Sequence, residues 1–173
     1  MIDAVRSEFL RYRQLAEEAM AQLPDEALTR APAEGSNSVA VICQHVGGNL
    51  RSRFTDFLGS DGEKPWRQRD SEFVPRLETR EEILADWTRG WDVLLATLAT
   101  LTEADLTRTV TIRAQPLTVA DALLRSLAHV SYHVGQIVYL AKAARGGDWT
   151  SLSIPPGQSE QYNASLKSSA PRS

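Results

Sequence analysis

Cysteine and histidine are scarce in this chain of 173 residues, which contains one cysteine and three histidines. A lone Cys43 excludes an intrachain disulfide and the motifs that pair cysteines, such as C-x-x-C. The sequence also lacks a glycine-rich phosphate loop and a G-x-S-x-G element, so it does not point to the chemistries that these motifs support. We expect Cys43 to be a small buried hydrophobic side chain rather than a nucleophile.

Long apolar runs and an excess of basic charge are also absent. No segment approaches the ~18 consecutive apolar residues of a transmembrane helix, and the N-terminal segment MIDAVRSEFLRYRQLAEE is charged and amphipathic, unlike a signal peptide. The formal net charge of −3 provides no basic footprint for nucleic acid. These absences predict a cytoplasmic protein that has neither a membrane nor a nucleic acid as its partner.

Apolar residues recur at helical spacing along four long segments, whose ends are marked by capping residues, glycine or proline. The predicted helices cover residues 3–22, 38–58, 80–101 and 118–144. Residues 59–75 are rich in glycine, proline and charge and are predicted to form a long loop, with Trp66 anchored in the core. Val110 and Ile112 alternate with polar residues, which predicts a short strand or hairpin arm before the last helix.

The expected fold is therefore all-α, a four-helix bundle with long connections and a short β-arm before the last helix. We assign residues 1–146 to this bundle. Residues 147–173 are rich in proline and serine, and we expect them to form a C-terminal arm that packs on the bundle and is frayed at its end.

All three histidines fall on predicted helices, at the border of the apolar stripe. His129 and His133 are four residues apart and point the same way from the last helix, while His45 has the same border position on the second helix. If these helices face each other, the three imidazoles converge. Imidazole suits zinc, nickel, copper and iron, and three protein ligands with an open position are typical of catalytic metal sites. The same spacing also fits histidines that only form hydrogen bonds at the edge of a core.

Polar and basic residues accompany the histidines. Asn49 and Asp56 follow the first histidine at helical spacing and are candidates for orienting a substrate. Arg53, Arg67 and Arg69 lie close to it in the sequence and are candidates for binding an anionic group. The same arginines also fit a solvated helix face and a charged loop.

Three glycines lie inside the predicted helices beside the histidines, where each costs about 1 kcal/mol relative to alanine. We expect Gly47, Gly48 and Gly135 to permit close backbone approach or to leave room for a ligand. Tyr132 and Gln136 flank the histidine pair and are candidates for hydrogen bonding to it.

The chain resembles the DinB-like (DinB/YfiT) superfamily of bacterial proteins, in an uncharacterised branch. The resemblance rests on His45 and the His129/His133 pair, within HVGGNLRSRFTDFLGSDGEKPWRQRDSEF and HVSYHVGQIVYLAK, and on the later segment SLSIPPGQSEQYN. It implies a four-helix bundle with up-down-down-up order and a long second connection. It also implies a divalent metal ion, most often nickel or zinc, held by these three histidines, and a homodimer.

The resemblance does not name a substrate. Some DinB-like proteins are metal-dependent transferases that use low-molecular-weight thiols such as bacillithiol, mycothiol or glutathione, and others are known as DNA-damage-inducible proteins. We therefore expect a metal-dependent enzyme, a thiol transferase or hydrolase, that acts on a small electrophilic molecule. The alternatives are a non-catalytic metal-binding stress-response protein and a helical dimer whose histidines only form hydrogen bonds.

Overall fold

The computed structural model describes residues 1–169 and is mostly helical. Its elements in chain order are α1 (Ile2–Ala21), α2 (Asp25–Thr29), α3 (Val39–Phe54), α4 (Arg80–Thr100), β1 (Thr109–Ile112), β2 (Gln115–Thr118), α5 (Val119–Arg145) and α6 (Ser159–Ser169). The four long helices α1, α3, α4 and α5 form the predicted bundle, and β1 pairs antiparallel with β2 in the predicted arm. The all-α class is confirmed.

The long helices begin where side chains satisfy their first backbone N–H groups. Ser38 accepts a hydrogen bond from the N–H of Val41, and Thr118 accepts one from Asp121. Thr79 and Glu82 form a reciprocal capping box at the start of α4, as their spacing predicts. The end of α3 differs from the prediction, because the helix stops at Phe54 rather than at residue 58.

α3 and α4 run side by side in the same direction. A Cβ atom added at Gly90 would lie 2.7 Å from the Cα of Gly47, so the two backbones touch there. Seven residues farther along both helices, the Thr97 hydroxyl donates to the Phe54 carbonyl at 2.8 Å. Contacts that advance together along both helices define a parallel pair.

Two other pairs, α1 with α4 and α3 with α5, are antiparallel. The Phe9 ring of α1 packs edge-on against Trp91, whereas the more C-terminal Glu17 accepts a hydrogen bond from the earlier Trp87, so α1 opposes α4. Residues 53 of α3 and 125 of α5 line one cavity, and residues 42 and 140 line another, so α3 opposes α5. The bundle therefore has the up-down-down-up order.

This order explains the long second connection, residues 55–79. Because α3 and α4 are parallel neighbours, the chain must travel back along α3, about 24 Å for its 16 residues, before α4 begins. The Ser52 hydroxyl donates to the carbonyl of Gly62 at 2.7 Å, and the Gln44 amide donates to the carbonyl of Glu72 at 2.9 Å. The connection is thus fixed against α3, and its 3-10 turn Arg69–Phe73 lies beside the middle of that helix.

α3 is the most deeply buried helix, since every residue from Ser38 to Leu50 is buried. α4 covers one side, α5 another, and the connection covers a third. Trp66 does not contribute to this enclosure, because its side chain is 54% exposed. The prediction that Trp66 anchors in the core is therefore wrong. The enclosure of α3 places the polar side chains of Gln44, His45 and Asn49 inside the molecule.

The C-terminal segment meets the end of α1. The Gln22 side chain donates to the carbonyl of Thr150 at 3.0 Å and accepts from its N–H at 2.8 Å. The division into a bundle (1–146) and an arm (147–173) stays a prediction, and the frayed end falls on residues outside the described range. None of the helices within residues 1–169 is long and apolar enough to span a bilayer.

Candidate metal centre

The three histidines meet between α3 and α5. Each offers a ring nitrogen, and these nitrogens all lie within 4.8 Å of one another. The Nε2 atoms of His45 and His129 are 3.2 Å apart. The ring of His133 is centred 4.9 Å from that of His45 and 4.6 Å from that of His129. The antiparallel crossing of the two helices therefore produces the convergence that the histidine spacing predicts.

The second nitrogen of two of these rings is already occupied. His45 Nδ1 lies 2.8 Å from a Glu72 carboxylate oxygen, and His133 Nδ1 lies 2.8 Å from the Gln136 amide oxygen. A carboxylate oxygen and an amide oxygen only accept hydrogen bonds, so both Nδ1 atoms carry the proton. Nε2 is consequently the nitrogen of each ring that remains for a metal ion, as in metal sites whose ligating histidines donate their other N–H to an acceptor.

Glu72 is held firmly in its place beside His45. Arg67 donates to both Glu72 oxygens, at 2.8 and 2.9 Å. A Cβ atom at position 48 would lie 2.3 Å from a Glu72 oxygen, so Gly48 leaves the space that the carboxylate fills. Burial raises the pKa of Glu72, but the hydrogen bonds from His45 and Arg67 outweigh this and hold the pKa below its usual value.

The histidines of α5 are held in the neutral form. Burial lowers the pKa of His129 to about 3, and the positive charges of its histidine and arginine neighbours add to the effect. Burial also lowers the pKa of His133. Neutral imidazole is the form that binds a metal ion, so these rings need not lose a proton to act as ligands near pH 7.

The donor set fits a divalent metal ion. Two nitrogen ligands of a tetrahedral ion with bonds of about 2.0–2.1 Å lie about 3.4 Å apart, close to the 3.2 Å between His45 Nε2 and His129 Nε2. Three nitrogen ligands suit nickel or zinc and leave a coordination position for another group.

A cavity of about 190 Å³ opens beside the histidines. His45 and His129 form part of its wall, and the buried Asn49 and Ser126 add polar groups. The remaining lining residues are Arg53, Arg67, Arg69, Ile112, Arg113 and Arg125. Of the candidates from the sequence, Asn49, Arg53, Arg67 and Arg69 are thus brought to one place.

Two candidates lie elsewhere. Asp56 is exposed in the turn after α3, with φ of 47°, and is not part of the cavity wall, because the helix ends before the polar stripe reaches it. Within residues 1–169, Gly135 has nothing within 4 Å of an added Cβ atom, so neither a backbone nor a side chain of this part of the chain approaches it. Tyr132 packs its ring 5.0 Å from that of His133 but is 65% exposed.

Sequence reasoning missed Glu72, Arg113 and Arg125. Glu72 is 27 residues from His45 in an irregular connection, where no periodicity predicts which residue faces inward. Arg113 lies in the turn of the hairpin, and Arg125 precedes His129 by one helical turn. The spacing of Arg125 from His129 is the one sequence signal that indicates a place at the same site.

Comparisons with known proteins agree with this architecture. The model of the family described as "Protein of unknown function (DUF1572)" matches residues 1–158. The crystal structure of a DinB-like protein (YjoA) from Bacillus subtilis superposes with a TM-score of 0.57 at 20% sequence identity, covering 87% of this chain and 96% of that one. The comparison with curated proteins finds no match.

Proposed function

Because this chain belongs to the DUF1572 family and has a DinB-like fold, we propose that it is a metal-dependent enzyme acting on a small electrophilic molecule. The observation that carries the proposal is the convergence of His45, His129 and His133 beside a cavity. A divalent ion at this position supplies Lewis acidity, which lowers the pKa of a thiol or a water molecule toward neutrality. The reaction is thiol transfer or hydrolysis.

The nucleophile must come from outside the chain. Cys43 is fully buried, burial raises the pKa of its thiol, and the sulfur lies 3.4 Å from that of Met20. In thiol transfer, the sulfur of a small thiol forms a bond to the electrophilic atom, and the leaving group departs with its electron pair. The thiol proton passes to solvent or to the leaving group.

The chain's own residues prepare the site for this reaction. Glu72 and Gln136 fix the orientation of two imidazoles through their Nδ1 atoms. Asn49 and Ser126 face the cavity, and their side chains make no hydrogen bond to the residues that the structure describes. A buried amide with a free donor and a free acceptor is suited to orient a substrate, so Asn49 is the orienting residue of this proposal.

The test is turnover by protein expressed without a histidine tag and loaded with nickel or zinc. Bacillithiol, mycothiol and glutathione are offered with a panel of electrophiles, and ester hydrolysis is measured in parallel. We expect activity in the wild type, its loss in His133→Ala, and a drop of about tenfold in Asn49→Ala, where a hydrogen bond to substrate is removed. Metal content should be unchanged in Asn49→Ala.

One result would favour the alternative function, metal binding without catalysis. If the wild type binds the ion in a stoichiometric amount but turns over neither a thiol substrate nor an ester, the protein is a non-catalytic metal-binding protein. A stress-response role is then tested by whether the ion changes the oligomeric state. If the ion is not bound at all, the histidines only form hydrogen bonds and both proposals fail.

A further inference from the structure

Among the residues that the structure describes, five arginines and no acidic residue line the cavity beside the histidines. The arginines are Arg53, Arg67, Arg69, Arg113 and Arg125. We call this cavity the arginine chamber. Three of these arginines lie on three different elements, with Arg53 on α3, Arg113 in the hairpin turn and Arg125 on α5, and the other two lie in the connection. The tertiary structure, rather than a single basic run, assembles the positive charge.

The acidic side chains around the arginine chamber do not neutralise it. Glu63 is shared, accepting from Arg53 and Arg113 at 3.0 Å and lying 3.5 Å from Arg67. Glu72 is used by Arg67 and by His45. Asp70 lies 3.6 Å from Arg69 but is fully exposed to solvent, where such a pair contributes little. The cavity wall therefore carries five arginines against two shared carboxylates, Glu63 and Glu72, and three of the five, Arg69, Arg113 and Arg125, also reach solvent.

Two of the arginines have donors that no protein acceptor uses. The Arg67 side chain is only 2% exposed, and its Nη1 atom makes no hydrogen bond, its nearest carboxylate being the shared Glu63 at 3.5 Å. Arg125 makes no hydrogen bond or ion pair with any residue in the described part of the chain. A buried donor without a hydrogen bond is unfavourable. An oxyanion in the chamber would give Arg67 Nη1 an acceptor, and it would give the exposed Arg125 a partner in place of water.

We propose that the arginine chamber binds a dianionic group of the substrate, a phosphoryl group or a pair of carboxylates, and that this anion and the metal ion bind cooperatively. This inference deepens the proposed function and rests on it for the identity of the anion as substrate. Guanidinium groups bind carboxylate and phosphate oxygens in pairs. A volume of about 190 Å³ holds roughly six waters' worth of liquid, which suits a group of this size.

Cooperativity follows from the charges. A divalent cation at His45 and His129 lies next to Arg53 and Arg67, so each positive charge disfavours the other in a partly buried site. A dianion in the chamber offsets both. By linkage, the metal ion then raises the affinity for the anion by the same factor by which the anion raises the affinity for the metal ion.

The test uses inorganic phosphate and succinate as dianionic probes and succinamide as a neutral counterpart of succinate. Binding to the full chain is measured by calorimetry at about 0.15 M ionic strength, where distant charges are screened, with and without bound zinc. We expect at least one dianion to bind, succinamide not to bind, and binding to tighten when zinc is present. The comparison of phosphate with succinate identifies which anion chemistry the chamber prefers.

The variants distinguish binding in the arginine chamber from a general effect of positive charge. Arg125→Gln and Arg69→Gln should weaken dianion binding by about tenfold each, with Arg125→Lys between the wild type and Arg125→Gln. Arg6→Gln is the control, since Arg6 is exposed on α1 and outside the chamber. Arg69 and Arg125 are exposed as well, so circular dichroism should show intact folds.

Two results would overturn the inference: no dianion binds to the zinc-loaded protein, or Arg125→Gln and Arg69→Gln bind as well as Arg6→Gln. The failure of this inference differs from that of the proposed function. Dianion binding without turnover leaves the chamber in place and removes the enzyme. Turnover without dianion binding leaves the enzyme in place and removes the chamber as an anion site.

Discussion

His45 uses its two ring nitrogens for different purposes. Nδ1 donates to Glu72, which Arg67 holds, and Nε2 faces the other two imidazoles. The ring also stacks on Phe73, with centroids 4.6 Å apart and an angle of 30° between the planes. His45 is therefore fixed in tautomer and orientation before any ion arrives, which lowers the cost of assembling the site.

Replacement of Glu72 tests this arrangement. Glu72→Gln removes the carboxylate charge that strengthens His45 as a ligand, and we expect the affinity for zinc to fall about 10–100-fold. Glu34→Gln, which removes an exposed carboxylate, is the matched control. Competition with a chromogenic chelator measures both affinities. Equal affinities in the two variants would show that Glu72 does not position His45.

Gly48 offers a test that removes no polar group. In Gly48→Ala the new Cβ atom would meet a Glu72 oxygen at 2.3 Å, so the carboxylate must move away and zinc binding should weaken. Gly135→Ala is the matched control inside α5, because nothing lies within 4 Å of its Cβ atom. That change should leave zinc binding unaltered and raise the free energy of unfolding by up to about 1 kcal/mol. The same loss of affinity in both variants would contradict the account.

Among the elements, the connection between α3 and α4 decides the chemistry of the site. It exists because parallel neighbours cannot be joined by a short turn, and its path along α3 brings Arg67 and Glu72 to His45. Asp61 fastens the early part of this connection to the β-hairpin by accepting the N–H groups of Arg113 and Ala114 at 2.9 and 2.7 Å. The attachment of the connection to the hairpin thus also fixes one wall of the arginine chamber.

The fastening by Asp61 should depend on pH. Hydrogen bonds from the backbone N–H of Glu63, and then from those of Ala114 and Arg113, lower the pKa of Asp61 to about 2. Its unfolded-state value is about 3.9, so the stabilisation is complete above that pH and is lost as the pH falls toward 2. In Asp61→Asn this part of the pH dependence should vanish. Urea unfolding between pH 5 and 2 measures how the free energy of unfolding changes with pH. The same change in the variant and in the wild type would contradict the assignment.

The elements differ in how well the sequence predicts them. Helices α1, α3, α4 and α5 bury one stripe each, and the 3.6-residue period makes that stripe visible in the sequence. The same period places the three histidines correctly. The connection has no period, so neither the inward position of Glu72 nor the outward position of Trp66 follows from spacing. The sequence does not predict α2, because a helix of five residues leaves little pattern. It predicts the end of α3 at residue 58 rather than at Phe54, because a single helical turn also leaves little pattern.

At the scale of the whole molecule, the up-down-down-up order unites these features. It sets α3 between α4, α5 and the returning connection, and therefore buries polar residues that an exposed helix would leave in water. A buried polar centre beside a charged cavity is the arrangement in which a metal ion and an anion interact most strongly. The homodimer and the cytoplasmic location stay predictions.

The most direct test of the central claim is the metal content of the chain, purified without a histidine tag and measured by inductively coupled plasma mass spectrometry after exposure to zinc or nickel. The account predicts about one divalent ion per chain in the wild type, as three protein ligands and one open position require, together with a raised melting temperature. His129→Ala, which removes one ligand, should hold almost none. A wild type that takes up no ion, or a His129→Ala variant that holds as much as the wild type, would contradict the account.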